Sequence, residues 1–83
     1  MVPYFVYILE CFDKSFYTGI TWNLAKRVRE HNLRIKSPLQ KCKIPVKLVY
    51  WQLFDNIYKA AKKEKEIKGW SRIKKQNLIN SLH

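Results

Sequence analysis

One carboxylate occupies the middle of an apolar stripe on a predicted helix. The residues of this stripe, at helical spacing, are Ile57, Ala60, Ala61, Glu64 and Ile67. A carboxylate buried there without a partner would be strongly unfavourable. Two interpretations stay open: Glu64 forms a buried ion pair with Arg27 or a nearby lysine, or it is a metal-binding or catalytic group at the bottom of a cleft. The neighbouring Glu66 is directed outward and is the weaker candidate.

Arg27 and His31 are four residues apart on a second predicted helix, so they project from the same face. Their row lies beside the apolar Leu24 and Val28. One interpretation is a solvated helix edge that carries a stacked imidazole. The other is a phosphate clamp, in which the arginine is a planar cationic fork and the histidine is a proton carrier or hydrogen-bond donor.

Tyr7 and Tyr17 fall on two predicted strands that face each other. Buried tyrosines often only pack, with the hydroxyl bonded at a sheet edge. Gly19 is less easily explained by packing, because glycine weakens a strand and often marks the close approach of another backbone or a ligand. Tyr17 and Gly19 should lie on the same face of their strand.

Three strands are expected to position these residues. The first, Tyr4–Leu9, is apolar on both faces, so we expect a central strand that is covered on both sides. Turn-forming residues at 13–15 connect it to a second strand, Phe16–Thr21, in a β-hairpin. The third strand is predicted at Val46–Phe54.

Three helices are expected, each begun by a capping side chain. The first covers Leu24–Asn32 after Asn23, and the second covers Ile57–Lys68 and ends at Gly69. The expected cap of the second helix is Asp55 or Asn56. Ser71 is expected to cap the third helix, whose apolar residues are Ile73, Leu78, Ile79 and Leu82.

The predicted order is therefore β-β-α-β-α-α. It indicates an α+β fold in which helices flank a small, three-stranded, mainly antiparallel sheet. The 83 residues are expected to form one domain, residues 1–83, because a chain of this length cannot bury two separate cores.

The charge balance indicates a polyanionic partner. Seventeen Lys and Arg stand against six Asp and Glu, for a net charge of +11, and the basic residues concentrate in two blocks, Lys26–Lys47 and Lys59–Lys75. No segment has the length and apolarity of a membrane span or the pattern of a signal peptide. We therefore expect a cytoplasmic protein that binds nucleic acid rather than a membrane. Cys11 and Cys42 lack zinc-site spacing and are expected to be reduced thiols.

The candidate residues form an ordered set: a tyrosine, Tyr-x-Gly, Arg-x-x-x-His and a later helical glutamate. The segments that carry the set are Val6-Tyr7-Ile8-Leu9, Tyr17-Thr18-Gly19-Ile20, Asn23-Leu24 with Arg27 and His31-Asn32, Pro45-Val46-Lys47-Leu48-Val49-Tyr50, and Glu64-Lys65-Glu66-Ile67-Lys68-Gly69-Trp70-Ser71. This set resembles the signature of the GIY-YIG nuclease superfamily, in particular its small stand-alone bacterial members. The first signature triplet reads Phe5-Val6-Tyr7, so only its tyrosine is retained.

The resemblance implies a shallow site that hydrolyses phosphodiester bonds with one divalent metal ion, Mg²⁺ or Mn²⁺. It places the metal on Glu64 and the scissile phosphate on Arg27. Tyr7 is the expected general base, Tyr17 orients water or phosphate, and His31 belongs to the same constellation. Because a tyrosine phenol has a reference pKa near 10, cationic surroundings are needed to make it a base at neutral pH.

The segment Leu33–Lys43 departs from the relatives, which usually carry glycines there, because it contains none. Residues expected to contact nucleic acid are Gly19, Lys26, Arg34, Lys36, Lys41, Lys43 and Arg72. The leading hypothesis is a metal-dependent endonuclease that acts on DNA, rather than RNA, in repair or on branched structures, with an unidentified protein partner. The alternatives are a non-catalytic nucleic-acid-binding module and an interaction protein whose basic face docks on an acidic partner.

Overall fold

The computed structural model describes residues 3–34, 37, 39 and 43–81. Its elements, in chain order, are β1 (Tyr4–Glu10), β2 (Phe16–Thr21), α1 (Leu24–Asn32), β3 (Lys47–Phe54), α2 (Ile57–Lys68) and α3 (Arg72–Asn80). The predicted order and the α+β class are confirmed. No helix in the described part of the chain is long and apolar enough to cross a membrane.

The helices begin where local chemistry predicts. The caps are Asn23, Asn56 and Ser71, and the side chain of each accepts a hydrogen bond from the backbone N–H three residues later. Asn56 is thus the cap of α2, and Asp55 instead forms an exposed ion pair with Lys59.

The sheet has the order β2-β1-β3, and both pairings are antiparallel. The central strand β1 is apolar on both faces, as predicted. Val6 and Ile8 pack beneath α2 and α3 on one face, called here the α2 face. Tyr7 and Leu9 lie on the opposite face, called here the α1 face because α1 packs against it.

The buried stripe of α2 is narrower than its sequence periodicity predicts. Ala60 and Ile67 are fully buried, whereas Ile57 and Ala61 are exposed. A helix on a small sheet buries only the side chains that point at the sheet, so the flanks of an apolar stripe stay at the surface. On α3, Ile79 is buried but Ile73 is 75% exposed. Ile73 lies six residues before Ile79, so its side chain projects about a third of a turn round the helix from the buried side.

The amide side chain of Asn32 connects α1 to β3. Its Oδ1 accepts a hydrogen bond from the backbone N–H of Val46 at 2.7 Å, and its Nδ2 donates to the Val46 carbonyl at 3.5 Å. The end of α1 is thereby held beside the start of β3. Cys11 is buried on the same face as a free thiol, and Cys42 and Leu82 lie outside the described residues.

Gly19 makes room for the ring of Tyr7. The two residues are partners in the β1–β2 register, so their side-chain directions share the α1 face. A Cβ at Gly19 would lie 2.5 Å from Tyr7 Oη and 2.7 Å from Tyr7 Cζ, closer than carbon atoms approach in folded proteins. The close approach that the glycine indicates is therefore made by Tyr7 itself.

Gly19→Ala should destabilise the fold by about 1–3 kcal/mol, because the buried Tyr7 ring must move to admit the new methyl group. Gly69→Ala is the matched control, since the nearest atom to its Cβ is the Glu66 carbonyl oxygen at 3.5 Å and its φ of −84° suits any residue. We expect the control to be neutral or slightly stabilising. Urea unfolding of both variants checks this, and equal losses would contradict the packing described.

Candidate functional site

The site is built around the hydroxyl of Tyr7, which lies in the central strand and is only 1% exposed. Its Oη is 3.1 Å from Nε2 of His31, on the last turn of α1. Arg27, one turn earlier on α1, also hydrogen-bonds the phenol. The ring of Tyr17 lies 6.5 Å from that of Tyr7, centroid to centroid. Four of the predicted site residues are therefore close together.

His31 is fully buried, so the solvated-edge interpretation is wrong for this residue. The C-terminal turn of α1 points at the sheet, and the imidazole packs edge-on to Tyr17 with ring centroids 5.1 Å apart. Its Nδ1 lies 2.6 Å from Oγ of Ser37. Burial, reinforced by the charge of Arg27, lowers the pKa of His31 to about 4. The imidazole is thus neutral at physiological pH.

The hydrogen-bond partners favour one tautomer of His31. Arginine only donates, so the Tyr7 oxygen accepts from Arg27 and its own proton is left for Nε2 of His31. The ring proton then sits on Nδ1 and is donated to Ser37 Oγ, which also accepts from the backbone N–H of Leu39 at 3.2 Å. A chain of donors therefore runs from Tyr7 through His31 to Ser37.

The phenol of Tyr7 is held in its neutral form. Burial raises its pKa to about 12, and the electrostatic influence of Tyr17 and of the Glu64 carboxylate acts in the same direction. The hydrogen bond from Arg27 lowers the pKa by less than burial raises it. The charge and hydrogen bond of Arg27 therefore do not bring the pKa of Tyr7 down to the ordinary value of a tyrosine.

Arg27 joins the phenol to an acidic neighbour on its own helix. Its Nη1 lies 3.4 Å from Oε1 of Glu30, and its side chain is 22% exposed. The guanidinium reaches the buried hydroxyl at one end and the surface at the other. This position suits a group that binds an anion from solvent beside Tyr7.

Glu64 is partly buried and paired with a nearby lysine, but that lysine is exposed, so the pair is not the buried ion pair of the first interpretation. Its Oε2 lies 3.3 Å from Nζ of Lys68, one turn later on α2, and its side chain is 21% exposed. Glu64 nevertheless lies near enough to Tyr7 for its charge to raise the pKa of that phenol. Glu66, at 50% exposure, is directed outward as predicted.

The donor set at Glu64 fits one kind of metal. Among the described residues, no three or more His, Cys, Asp or Glu side chains group to form a metal site. A lone carboxylate does not suit metals that require several nitrogen or sulfur ligands. It suits Mg²⁺ or Mn²⁺, which are held by one or two carboxylates and complete their shell with water and substrate phosphate.

Two of the predicted nucleic-acid contacts have structural partners. Lys43 Nζ lies 2.9 Å from Asp13 Oδ2 and donates to Ser15 Oγ at 3.0 Å, and these contacts fix the hairpin turn. Hydrogen bonds from Ser15 and Lys43 lower the pKa of Asp13 to about 2. Arg72 stacks its guanidinium 4.4 Å from the ring of Phe16 and donates to the Lys14 carbonyl.

The remaining predicted contacts differ in exposure. Lys26 and Arg34 are exposed on and just after α1, while Gly19 is buried beneath Tyr7. Lys36 and Lys41 lie outside the described residues. Among the described residues, Ser37 contacts the site and was missed by the sequence analysis, because it lies six residues after His31 in a segment without periodicity.

The comparisons with known proteins identify the family and support the fold. The profile described as "GIY-YIG catalytic domain" matches residues 3–77. A UPF0213 protein of Haloquadratum walsbyi is 44% identical over 75 residues, which cover 90% of this chain and 84% of the relative. The solution NMR structure of the UPF0213 protein of Bacillus halodurans is 35% identical with a TM-score of 0.62, and covers 94% of this chain and 83% of its own. An E. faecalis structure reaches a TM-score of 0.66 at 28% identity, over 98% and 86% of the two chains.

The buried His31 should make stability depend on pH. Its pKa falls from 6.5 to about 4 on folding, so between these values the unfolded chain binds more protons. The stabilisation is complete above pH 6.5, and roughly 2–3 kcal/mol is lost as the pH falls towards 4. Urea unfolding from pH 7.5 to 4.5 checks this against His31→Gln, for which we expect a flatter curve. Parallel curves for the two proteins would show that His31 titrates normally in the fold.

Proposed function

Since the chain belongs to the GIY-YIG family of nucleases, we propose that it is a metal-dependent endonuclease that hydrolyses phosphodiester bonds in DNA. The observation that supports this most is the buried Tyr7 hydroxyl, bonded to both Arg27 and neutral His31 and within the field of Glu64. A buried phenol needs a hydrogen-bond partner, but one neutral acceptor would satisfy it, whereas Tyr7 has both an arginine and a histidine. Action on branched or damaged DNA, as in repair, belongs to the same proposal.

Arg27 binds the scissile phosphate. Its guanidinium already lies beside the Tyr7 hydroxyl, so a phosphate bound there is adjacent to the proton-accepting pair. A positive charge fixed at this position is most useful when negative charge builds on the phosphate oxygens in the transition state. Tyr17, packed against both Tyr7 and His31, orients the attacking water or the phosphate.

Tyr7 and His31 act together as the proton acceptor. As the water oxygen bonds to phosphorus, a water proton passes to the Tyr7 oxygen and the phenolic proton passes to His31 Nε2. The bond from phosphorus to the leaving sugar oxygen breaks, and solvent protonates that oxygen. Ser37 Oγ accepts a hydrogen bond from Nδ1 throughout and stabilises the imidazolium that forms.

Glu64 is the residue that would hold the divalent cation. When bound, the cation supplies positive charge that stabilises the phosphate oxygens and favours ionisation at Tyr7. The Lys68 ammonium and the cation compete for the same carboxylate, so Lys68 must release Glu64; its side chain is 54% exposed and can turn into solvent.

A non-catalytic nucleic-acid-binding module is the second candidate. It is favoured by two observations: Glu64 is already paired with Lys68, and the high pKa of Tyr7 makes it a neutral phenol. In such a module the net charge of +11 would bind phosphates without hydrolysis.

Cleavage of supercoiled, linear, single-stranded and branched DNA with Mg²⁺ or Mn²⁺ separates the two. We expect the wild-type chain to cut at least one form. Glu64→Gln and Arg27→Ala should each lower the rate by about 10²–10³-fold, the usual effect of removing one group that stabilises the transition state. Binding of all forms without cleavage, unchanged in Glu64→Gln, would show the second function instead.

Lys68→Ala is the matched control, because it removes a charge from the same helix and leaves the carboxylate free. We expect this variant to retain cleavage and to reach half-maximal rate at a lower metal concentration than wild type. If its metal requirement were unchanged while Glu64→Gln still lost activity, Glu64 would act in another way than by holding the cation.

A further inference from the structure

An uncovered aromatic surface lies directly beside the site. In the β1–β3 register, Trp51 is the partner of Tyr7 and Leu53 is the partner of Phe5. Register partners in an antiparallel pair project from the same face and are near neighbours. Phe5, Trp51 and Leu53 therefore continue the α1 face beyond Tyr7, and together they are called here the Trp51 platform.

No described helix covers the Trp51 platform. The apolar cluster under α1 contains Tyr7 and Leu9, with Leu24 and Val28 packed on it, but none of the three platform residues. Trp51 is 43% exposed and Leu53 is 55% exposed, while Phe5 is partly buried. An apolar patch that continues a functional site at the surface is typical of a binding surface.

We propose that the Trp51 platform stacks an unpaired nucleobase of the strand whose phosphate lies at Tyr7 and Arg27. This inference rests on the proposed nucleic-acid substrate and specifies how the strand is held. Because Trp51 and Tyr7 are neighbours across the sheet, a base on the indole belongs to the nucleotide at the bound phosphate or to the next one.

The chemistry of the platform favours a nucleobase over a protein side chain as its occupant. Every base has a flat π-face, and indole is a good stacking partner for it without regard to sequence. The chain carries a net charge of +11, which attracts a polyanionic strand, and the guanidinium of Arg27 lies at Tyr7, next to the platform. A protein partner would have to be strongly acidic and also place an apolar group within reach of Tyr7.

The proposal makes the site selective for unpaired nucleotides. In a duplex each base is already stacked between its neighbours, so a base can lie on Trp51 only after unstacking. Single strands, flaps and junctions offer such bases at little cost. The platform would thus select substrate structure without reading base sequence.

Fluorescence of Trp51 tests the stacking directly. The variant Trp22→Phe/Trp70→Phe leaves Trp51 as the only tryptophan in the chain. We expect a 12-nucleotide oligo(dT), titrated without metal, to quench its emission strongly, and a duplex of the same length to quench it weakly. Equal quenching by the oligo(dT) and the duplex would overturn the proposal. So would an absence of quenching under conditions in which the fluorescence anisotropy of a labelled oligonucleotide shows that it is bound.

Substitution separates stacking from simple hydrophobic contact. Trp51→Ala and Trp51→Leu should weaken oligo(dT) binding by about 5- to 150-fold, the range for loss of one stacked base, whereas Trp51→Phe should retain most of it. The matched control is Tyr58→Ala, which removes an 84% exposed aromatic ring from α2 and should bind as wild type does. Equal binding by Trp51→Ala and wild type would contradict the platform.

Measurements of cleavage and of binding distinguish failure of the nuclease proposal from failure of the platform proposal. If the protein cuts no DNA but Trp51 is quenched by oligo(dT), the platform is supported and the hydrolytic function is not. If it cuts DNA and Trp51→Ala cuts single strands and duplexes as wild type does, the platform is overturned while the nuclease is retained. A dimer that dissociates in Trp51→Ala, with no quenching by DNA, would identify a second copy of the chain as the occupant.

Discussion

Burial of one phenol hydroxyl in the middle of the sheet is the constraint on which the rest of the site depends. A buried hydroxyl without partners is costly, and Tyr7 obtains two of them, from Arg27 and His31, by the packing of one short helix on the α1 face. Gly19 leaves the space in which its ring lies. The same burial raises the pKa of the phenol and lowers that of His31, so both groups are neutral at physiological pH.

The two faces of β1 bury different kinds of side chain. On the α2 face, Val6 and Ile8 pack under Ala60 and Ile67 in an apolar core without charged members. On the α1 face the buried residues include Tyr7 and His31, whose polar atoms are hydrogen-bonded to each other. Glu64 belongs to a helix of the first face yet its charge reaches the phenol on the second. The two faces of β1 therefore differ in the side chains that they bury, and the site draws on helices from both.

Local chemistry made most of the fold predictable. The helix caps at Asn23, Asn56 and Ser71 follow from short side chains that accept backbone hydrogen bonds, and the central position of β1 follows from its two apolar faces. Helical periodicity predicted burial less reliably where burial depends on how much of the sheet a helix covers. Ile73 is an example, since it was expected among the apolar residues of its helix but is exposed. The proximity of Tyr7, Tyr17, Arg27 and His31 likewise agrees with their spacing and with the resemblance to a family, while their roles stay predictions.

The burial of His31, its bond to Ser37 and the exposure of Trp51 beside Tyr7 could not be predicted in the same way. Each depends on how far α1 extends over the sheet and on the register between β1 and β3, including the irregularity after Ile8. These features depend on tertiary packing, which a short segment of sequence does not determine.

The protonation of His31 is the most direct test of the central claim that Tyr7 donates to a neutral imidazole. Nitrogen-15 NMR of the ring at pH 6, assigned by comparison with His31→Gln, measures it. We expect a neutral ring with its proton on Nδ1 and a hydrogen-bonded, unprotonated Nε2. An imidazolium at that pH, or a proton on Nε2, would contradict the proton path from Tyr7 to His31.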